Sequence, residues 1–397
     1  MKNDVESLVP PSPSTSLVST IRTNMARLAL SLLLVAGTAQ VFALPTAFPV
    51  FSRASTAKGV YDIQGHRGSR GATVESTLPA FAWGLIYGAT TLEMDNGVTK
   101  DGHVIVWHDE SIDSTKCKDT KPVVQNDPLY PYVGKYVANL TLAQIKTLDC
   151  GSERLDGFPL QLTYPGTKIS TLPELFSFLD CADPLHQVDL NIESKVDAQF
   201  PNLTRSPEDF VKLQYDLFKK SEYYGQITYQ SFDWRTLILM KKVDTKIPRA
   251  ALLDSTTIYG PSNSTSTWLS GLRPDAFPGP TQGEQLAQAA HSIGATLLSP
   301  AATDGASGSL DPNMPGYKTF TTAEMVKEAH KYGMQVKPWT VNRLNIVEQI
   351  YAWGVDGIIT DYPEIVRRWA ILKGISVAKT YDQTKVLQCL KKHIQVV

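Results

Sequence analysis

The sequence predicts an α/β protein, a TIM (β/α)8 barrel with an insertion after the second strand. From residue 60 onward, short apolar runs alternate with helical patterns, as they do in successive βαβ units of a parallel sheet. Eight such runs are present, and eight strands with intervening helices close most naturally into a barrel. A doubly wound open sheet is the competing fold, but the chain has no Gly-rich phosphate-binding turn of the kind that would support it.

The predicted elements follow one another along most of the chain. The strands cover 60–65, 90–95, 187–193, 226–231, 248–253, 295–299, 335–340 and 357–360. Helical patterns cover 77–87, 207–221, 234–242, 322–332 and 344–353. With 397 residues, 42% of them hydrophobic, the chain can bury a sizeable core, and residues 44–370 are predicted to form one barrel domain.

Three segments depart from this repeat. Residues 110–170 are rich in Pro, Gly, Tyr and Asp and contain two cysteines, which predicts an ordered insertion or capping subdomain. Residues 254–283 predict an irregular loop with a role of its own, because structureless loops of that length are uncommon in compact domains. Residues 371–397 are predicted to be a C-terminal tail that Cys389 ties down.

The N-terminal residues 1–43 have the pattern of a secretory signal peptide with an extra leader. Arg22 and Arg27 precede an apolar run at 28–35, and small residues then lead to a candidate cleavage sequence at 41–43. A start at Met25 would give a compact signal peptide. An uncleaved signal anchor is the alternative, although the apolar run is shorter than the ~20 residues that span a membrane. The sequence therefore predicts a secreted, extracellular protein without a stable membrane span, and it leaves open retention at the cell wall.

All four cysteines and three glycosylation sequons lie in the mature part of the chain. An even cysteine count in a secreted protein favours two disulfides, and the absence of any C-x-x-C pair argues against zinc. Cys117 is predicted to pair with Cys150, because both flank the insertion, and the other two candidates are Cys181 and Cys389. The sequons, which agree with a eukaryotic secretory route, begin at Asn139, Asn202 and Asn263.

The charge balance bears on the class of partner. Removal of residues 1–43 leaves 35 basic and 37 acidic residues. Such a chain has no gross field for nucleic acid or anionic membranes.

Reactive side chains lie where the predicted strands end, which is where TIM barrels place their active sites. His66 and Arg67 follow the first strand, and Glu93 and Asp95 end the second. Farther along, His108 follows an apolar run at 104–107, and the third strand leads into Glu193 and Lys195. Because residues i and i+2 of a strand point to the same side, Glu93 and Asp95 are expected to face the barrel mouth together. Neighbouring carboxylates repel unless a cation lies between them, and oxygen ligands favour Mg²⁺ or Ca²⁺.

This constellation closely resembles the glycerophosphodiester phosphodiesterase family, and the resemblance spans residues 60–365. The motifs that carry it are HRG at 66–68, ESTLPAF at 75–81, GATTLEMD at 88–95, TKDG at 99–102, HD at 108–109, ESK at 193–195, QSF at 230–232, WTVN at 339–342 and GVDGIITD at 354–361. The resemblance implies a TIM barrel that hydrolyses glycerophosphodiesters to glycerol 3-phosphate and an alcohol. Together with the signal and the sequons, it implies a secreted member of fungal type.

The resemblance also implies a role for each matching residue. Glu93, Asp95 and Glu193 would hold one divalent cation, Mg²⁺ or Ca²⁺, and His66 and His108 would act as catalytic acid and base. Arg67 and Lys195 would neutralise phosphate oxygens, and Glu75 would support the site. Trp339, at the end of the seventh strand, would wall the pocket against the glycerol moiety, with core packing as its other interpretation.

Two positions depart from the family pattern. Ser76 stands where Asn is usual after Glu75, and Asn96 and Gly97 follow Asp95 where an apolar residue is common. The first departure is expected to loosen a supporting hydrogen bond, and neither removes a reactive group.

Each of these residues also has an ordinary interpretation, since a lone acidic residue at a strand end is usually solvated and a lone histidine is usually structural. The reactive residues occur together at several strand ends, which favours a site over that interpretation. Two alternative functions stay open: a phospholipase D-like barrel that cleaves lipid headgroups, and a secreted binding protein that keeps the barrel without turnover.

Overall fold

Eight parallel strands and one antiparallel strand form the sheet in the computed structural model, which describes residues 59–397. The strands are β1 (Asp62–Gly65), β2 (Thr91–Val98), β3 (Val104–Val106), β4 (Asp189–Ser194), β5 (Ile227–Ser231), β6 (Arg249–Leu253), β7 (Leu297–Pro300), β8 (Gln335–Val336) and β9 (Gly357–Thr360). Their order in the sheet is β8-β7-β6-β5-β4-β2-β1-β9, and β3 pairs antiparallel with β2 outside this path. The predicted signal segment 1–43 lies outside the described residues.

The barrel closes between β8 and β9, the strands at the two ends of this order. Backbone hydrogen bonds run from Asp356 N–H to the Val336 carbonyl and from Ile359 N–H to the Pro338 carbonyl, both at 2.9 Å. The predicted TIM barrel is therefore confirmed. The strand predicted at 335–340 is correct only in its first part, because Pro338 has no N–H to donate to a ladder and β8 ends at Val336.

Ten α-helices occur in the described part of the chain. They are α1 (Leu78–Ile86), α2 (Leu142–Ile145), α3 (Leu172–Ala182), α4 (Pro207–Phe218), α5 (Trp234–Val243), α6 (Gln282–Ser292), α7 (Ala323–Lys331), α8 (Leu344–Ala352), α9 (Pro363–Leu372) and α10 (Gln383–His393). The sequence specifies several of their starts. Thr171 and Thr281 form capping boxes with Glu174 and Glu284, and the side chain of Ser206 accepts a hydrogen bond from the first turn of α4. No helix between residues 59 and 397 is long and apolar enough to cross a membrane.

The main apolar core lies between the strands and the helices around them. Ile63, Leu92 and Ile192 are fully buried in one cluster with Phe81 and Leu85 of α1. The residues that alternate with them on β1, β2 and β4 are polar and buried, and they include Gln64, Glu93 and Asn191. Strand alternation thus sends apolar side chains to the helix layer and polar side chains into the barrel, which positions the site.

The segment 110–170 packs around a small apolar cluster of its own, which includes Trp107, Ile112, Tyr132 and Leu148. A disulfide joins Cys117 to Cys150 within this cluster, as predicted. The short antiparallel strand β3 leads into the segment, so the insertion follows β3 rather than β2 directly.

The C-terminal residues are more ordered than a tail. They contain α10, which a second disulfide, Cys181–Cys389, joins to α3. After α10, Val397 N–H donates to the Gly166 carbonyl at 2.8 Å, which ties the chain end to the inserted segment.

Candidate active site

The turn after β1 places the backbone of Arg67 against a carboxylate of β2. Arg67 adopts a left-handed backbone conformation, φ 50°, and its N–H donates to Glu93 Oε2 at 2.8 Å. Gly68 follows at φ 91°, and a Cβ there would lie 2.6 Å from the carbonyl carbon of Ala80 in α1. The turn therefore requires glycine at this position. Arg67, unlike Gly68, is a non-glycine residue held at positive φ, and such residues are typical of functional sites.

Three carboxylates converge at the carboxyl ends of β2 and β4. The parallel register sets Asp95 opposite Glu193, and Glu93 lies two residues before Asp95 on the same side of β2. One ligand oxygen from each residue lies within 4.8 Å of the others, and all three side chains are buried. The structure therefore brings together the three residues that the sequence analysis proposed as metal ligands.

Burial and mutual repulsion control the pKa values of these carboxyls. Burial, Asp95 and Glu193 together raise the pKa of Glu93 well above its usual range. Burial also raises the pKa of Glu193, to about 7, against the opposing effect of Lys195. Burial acts to raise the pKa of Asp95 too, but His108, Arg67 and Lys195 outweigh it and hold the pKa at about 2. The cluster thus concentrates negative charge that a cation would relieve.

The donor set fits a divalent cation. Asp95 Oδ2 is buried and accepts no hydrogen bond from any residue in the range 59–397, and its nearest cation is Arg67 Nε at 3.4 Å. Three carboxylates without a thiolate or imidazole in the cluster are the ligands that Mg²⁺ and Ca²⁺ prefer.

Cation binding is expected to weaken as the pH falls. Below pH 7 the metal-free protein holds a proton on Glu193, whose pKa is about 7, and a cation must displace that proton. We therefore expect the Kd for Mg²⁺ or Ca²⁺ to be at least about 10-fold higher at pH 6 than at pH 8. Isothermal titration calorimetry in buffers of different ionisation enthalpy checks this, because it also counts the protons released. Equal affinity at both pH values with no proton release would contradict it.

Glu75 gathers three cations at one side of the site. Its carboxylate contacts Arg67 Nη1 at 2.7 Å, Arg70 Nε at 2.5 Å and Lys116 Nζ at 2.8 Å. Burial acts to raise the pKa of Glu75, but these three cations lower it well below its usual range. Glu75 therefore stays ionised and fixes the guanidinium of Arg67, and this is the supporting position that the sequence analysis expected.

Each predicted catalytic histidine has an aspartate partner. His66 Nδ1 lies 2.6 Å from Asp361 Oδ1, and Asp361 also accepts a hydrogen bond from the Asn342 amide at 2.6 Å. His108 Nδ1 lies 2.7 Å from Asp109 Oδ1. A carboxylate can only accept at these contacts, so Nδ1 of each ring carries the hydrogen and Nε2 is left to face the cavity.

Lys195 connects the second histidine to the carboxylates. Its ammonium lies 3.0 Å from Glu193 Oε1 and 3.2 Å from His108 Nε2. Burial lowers the pKa of His108 well below its usual range, and Lys195 and Arg67 lower it further. His108 is therefore neutral at neutral pH, and its Nε2 lone pair accepts the hydrogen bond from Lys195.

Aromatic rings form one wall of the cavity. The cavity has a volume of about 200 Å³, and its lining includes His66, Arg67, Arg70, Glu93, Asp95, His108, Glu193, Lys195, Phe232 and Trp339. The indole N–H of Trp339 donates to the Ser299 carbonyl at 2.8 Å, and the ring stands edge-on to Phe232 with centroids 5.3 Å apart. Trp339 therefore lines the pocket with a ring held in a fixed orientation. A larger groove of about 570 Å³ between α5 and α6 contains no comparable cluster of reactive groups along its lining.

The structure shows what each departure from the family pattern does. Ser76 adopts φ 57°, a conformation that asparagine tolerates better than most residues, and its N–H donates to the Arg67 carbonyl. The Ser76 Oγ is buried and has no hydrogen-bond partner within residues 59–397. The amide of Asn96 donates to the Asp95 and Ile105 carbonyls, and its Oδ1 accepts from Gln214 of α4 at 2.9 Å. The polar residue after Asp95 is therefore satisfied and holds the end of β2 against α4.

Sequence analysis gave no role to several residues at this site. Arg70 lines the cavity, and Asp361, Asn342 and Asp109 orient the histidines. Asp361 directly follows β9, and Asn342 lies in the segment after β8. Both residues, like Asp109, fall within motifs that carry the resemblance, and that position was the signal available for them.

Comparisons with known proteins agree with this geometry. The family model described as the glycerophosphoryl diester phosphodiesterase family matches residues 66–365. A glycerophosphodiester phosphodiesterase of Caldanaerobacter subterraneus is 27% identical over 299 residues, which are 75% of this chain and 93% of that protein. A glycerophosphodiester phosphodiesterase of Bacillus subtilis is 25% identical over 306 residues, which are 76% of this chain and 84% of that protein.

Solved structures show the same fold. A protein from Silicibacter pomeroyi superposes with a TM-score of 0.63 at 27% identity, over 80% of this chain and 96% of that one. An Oleispira antarctica phosphodiesterase, solved in complex with the product sn-glycerol-3-phosphate, has a TM-score of 0.53 at 18% identity, over 79% of this chain and 98% of that one. Because the family model covers most of the barrel and every predicted catalytic and metal-binding residue lies within it, the chain belongs to the glycerophosphoryl diester phosphodiesterase family.

Proposed function

We propose that the protein hydrolyses glycerophosphodiesters to glycerol 3-phosphate and an alcohol, with the help of one divalent cation, Mg²⁺ or Ca²⁺. The observation that carries this proposal is the convergence of three carboxylates, two His–Asp pairs and two cationic side chains, Arg67 and Lys195, on one cavity of about 200 Å³. The family, and relatives named glycerophosphodiester phosphodiesterases, support the substrate class.

Glu93, Asp95 and Glu193 would hold the cation. When bound, a divalent cation supplies Lewis-acid stabilisation of negative charge on the phosphate oxygens. Arg67 and Lys195 add positive charge from the protein itself, and the planar guanidinium of Arg67 suits two phosphate oxygens at once. Glu75 holds Arg67 by a 2.7 Å contact, so the guanidinium need not be reoriented when substrate binds.

The hydrogen bonds of the two histidines suggest separate roles for them. His108 Nε2 accepts a hydrogen bond from the Lys195 ammonium, so this nitrogen carries no hydrogen, and we assign it as the base of the first step, in which the substrate hydroxyl takes the place of Lys195 at Nε2. His66, held by Asp361, is assigned as the acid that protonates the departing alcohol oxygen. Trp339 would pack against the glycerol moiety, because an aromatic face suits its C–H surface.

The first attack on phosphorus is assigned to the glycerol 2-hydroxyl, which is tethered next to the phosphate. In an ideal case such tethering lowers the barrier by roughly 7 to 11 kcal/mol. The hydroxyl oxygen bonds to phosphorus, His108 takes its proton, the bond from phosphorus to the alcohol oxygen breaks, and His66 protonates that oxygen. Water then opens the cyclic phosphate with the histidine roles reversed, which yields glycerol 3-phosphate.

A substrate without the 2-hydroxyl is therefore expected to bind but to react more than about 100-fold more slowly. Single-turnover rates for glycerophosphocholine and its 2-deoxy analogue give the comparison, and a competition assay gives the binding. Equal rates for the two compounds would rule out the cyclic intermediate and favour direct attack by water.

Product analysis tests the proposed function against its two alternatives. We expect ³¹P NMR of a glycerophosphocholine reaction to show glycerol 3-phosphate as the phosphorus product, together with free choline. A phospholipase D-like enzyme would instead react with lysophosphatidylcholine or sphingolipid and leave glycerophosphocholine intact. A binding protein would leave every substrate unchanged, and either of these two results would reject the proposal.

We further propose that the mature protein is secreted, starts near Leu44 and is a glycosylated member of fungal type. The three sequon asparagines, Asn139, Asn202 and Asn263, are all exposed, as glycan attachment requires. The relatives named above are bacterial, so the fungal type rests on the signal segment and the sequons alone. N-terminal sequencing and glycosidase treatment of the secreted protein test this, and an N-terminus that retains residues 28–43 would reject signal cleavage.

A further inference from the structure

Lys116, in the inserted segment 110–170, lies between two carboxylates of the active site, Glu75 and Asp109. Its ammonium is 2.6 Å from Asp109 Oδ2 and 2.8 Å from Glu75 Oε1, and its side chain is only 10% exposed. The same ammonium lies 5.6 Å from the ring centroid of Trp107. A buried lysine that bridges two carboxylates has two of its three donors committed to charged acceptors, which fixes its orientation.

The two carboxylates that Lys116 bridges support different reactive groups. Glu75 Oε1 also accepts from Arg67, which neutralises phosphate oxygens in the proposed function. Asp109 uses its other oxygen, Oδ1, to hold His108 Nδ1 at 2.7 Å. A continuous chain of ion pairs therefore runs from Arg67 through Glu75 and Lys116 to Asp109, and a hydrogen bond continues it to His108.

The fold of the inserted segment fixes the backbone of Lys116. The N–H groups of Lys116 and Cys117 both donate to the Asp113 carbonyl, at 3.1 and 2.9 Å. Cys117 is bonded to Cys150, and Lys118 exchanges two backbone hydrogen bonds with Asp149. These restraints hold the segment on both sides of Lys116, so the ammonium has little freedom to leave the carboxylates.

We propose that Lys116 is a positioning residue of the active site, which the insertion supplies to hold Asp109 and thereby aim His108 at the phosphate. With Oδ2 bound to Lys116, the Asp109 carboxylate can present only Oδ1 to the imidazole, which fixes the ring and its tautomer. Without Lys116 the carboxylate can rotate toward solvent, because its side chain is 23% exposed. This inference rests on the proposed function, in which His108 moves a proton.

The test compares Lys116→Met with Lys118→Met, two residues farther on. Lys118 is a matched control because it belongs to the same segment and forms an ion pair, with Glu153 at 2.6 Å, but is 55% exposed. Lys116→Met is expected to lower kcat for glycerol 3-phosphate release by about 10- to 100-fold with KM changed less than about twofold, as for residues that orient a reactive group. Lys118→Met is expected to keep the wild-type kcat, and Lys116→Arg to restore most of the loss. Wild-type kcat in folded Lys116→Met, or no recovery in Lys116→Arg, overturns the inference.

A double-mutant cycle shows whether Lys116 acts through Asp109. If it does, the loss from Lys116→Met should largely disappear in an Asp109→Asn background. Full additivity of the two losses overturns the inference. Thermal unfolding confirms that each variant is folded, and Lys116→Gln, which keeps an N–H donor without the charge, replaces Lys116→Met if the latter does not fold.

Histidine-selective ¹⁵N NMR separates this inference from the proposed function. The ring nitrogens of His108 should shift in Lys116→Met while those of His66 stay in place, whether or not the chosen substrate is hydrolysed. An inactive wild type with this selective shift would reject the proposed function alone. An active wild type whose His108 signals are unchanged in Lys116→Met would reject the inference alone.

Discussion

Replacement of Glu93 by alanine is expected to lower kcat for phosphodiester hydrolysis by about 1,000-fold or more, because the loss of one carboxylate ligand removes several kcal/mol of charge stabilisation in the transition state. Kinetics with saturating Mg²⁺ or Ca²⁺ give the value. Asp95 and Glu193 contribute equivalent oxygens to the same cluster, so their alanine variants should behave alike.

The fold is expected to survive this change. Burial and the neighbouring carboxyls raise the pKa of Glu93 in the folded protein, so its ionised form destabilises the metal-free fold as the pH rises through that value. Glu93→Ala should therefore raise the Tm of the chelated protein more at pH 8 than at pH 5. Glu93→Gln is the matched control for side-chain volume. Full activity of Glu93→Ala in chelator would contradict the metal assignment.

Removal of the His66 imidazole is expected to lower kcat by about 10²- to 10⁴-fold, the usual contribution of a general acid or base. Cation affinity should not change, because His66 is outside the carboxylate cluster. The effect should appear in kcat more than in KM, because proton transfer belongs to the chemical step.

His330→Ala provides the control for this prediction. His330 forms a comparable ion pair with Asp356, 2.9 Å from Nε2 to Oδ2, but Asp356 precedes β9 and lies at the opposite end of the barrel from the site. We expect His330→Ala to keep its activity within about twofold of the wild type, since substitutions away from the site change little beyond stability. Near-wild-type turnover in His66→Ala would assign the acid role to another group.

Strand periodicity made the carboxylate cluster predictable from the sequence. Glu93 and Asp95 are two residues apart, so they point to one side of β2 in any strand, and the parallel register with β4 adds Glu193. The same alternation explains why Leu92 and Met94 are fully buried in the helix-facing core. Local spacing and fold class together determine this part of the site.

The partners of the histidines depend on contacts that local spacing does not encode. Asp361 meets His66 across 295 residues because closure of the barrel places β9 beside β1. Lys116 reaches Asp109 from a segment without strand or helix periodicity, and its position depends on the turn at Asp113 and the disulfide to Cys150. These contacts arise from tertiary packing, so the spacing of residues along the sequence does not predict them.

Titration of a divalent cation into chelator-treated protein tests the central claim most directly, when bound metal and glycerol 3-phosphate release are followed in the same samples. We expect activity to be absent at the start and to rise in proportion to occupancy, with saturation at one cation per chain, and we expect Glu93→Ala to show neither response. Full release of glycerol 3-phosphate by the metal-free protein would contradict it.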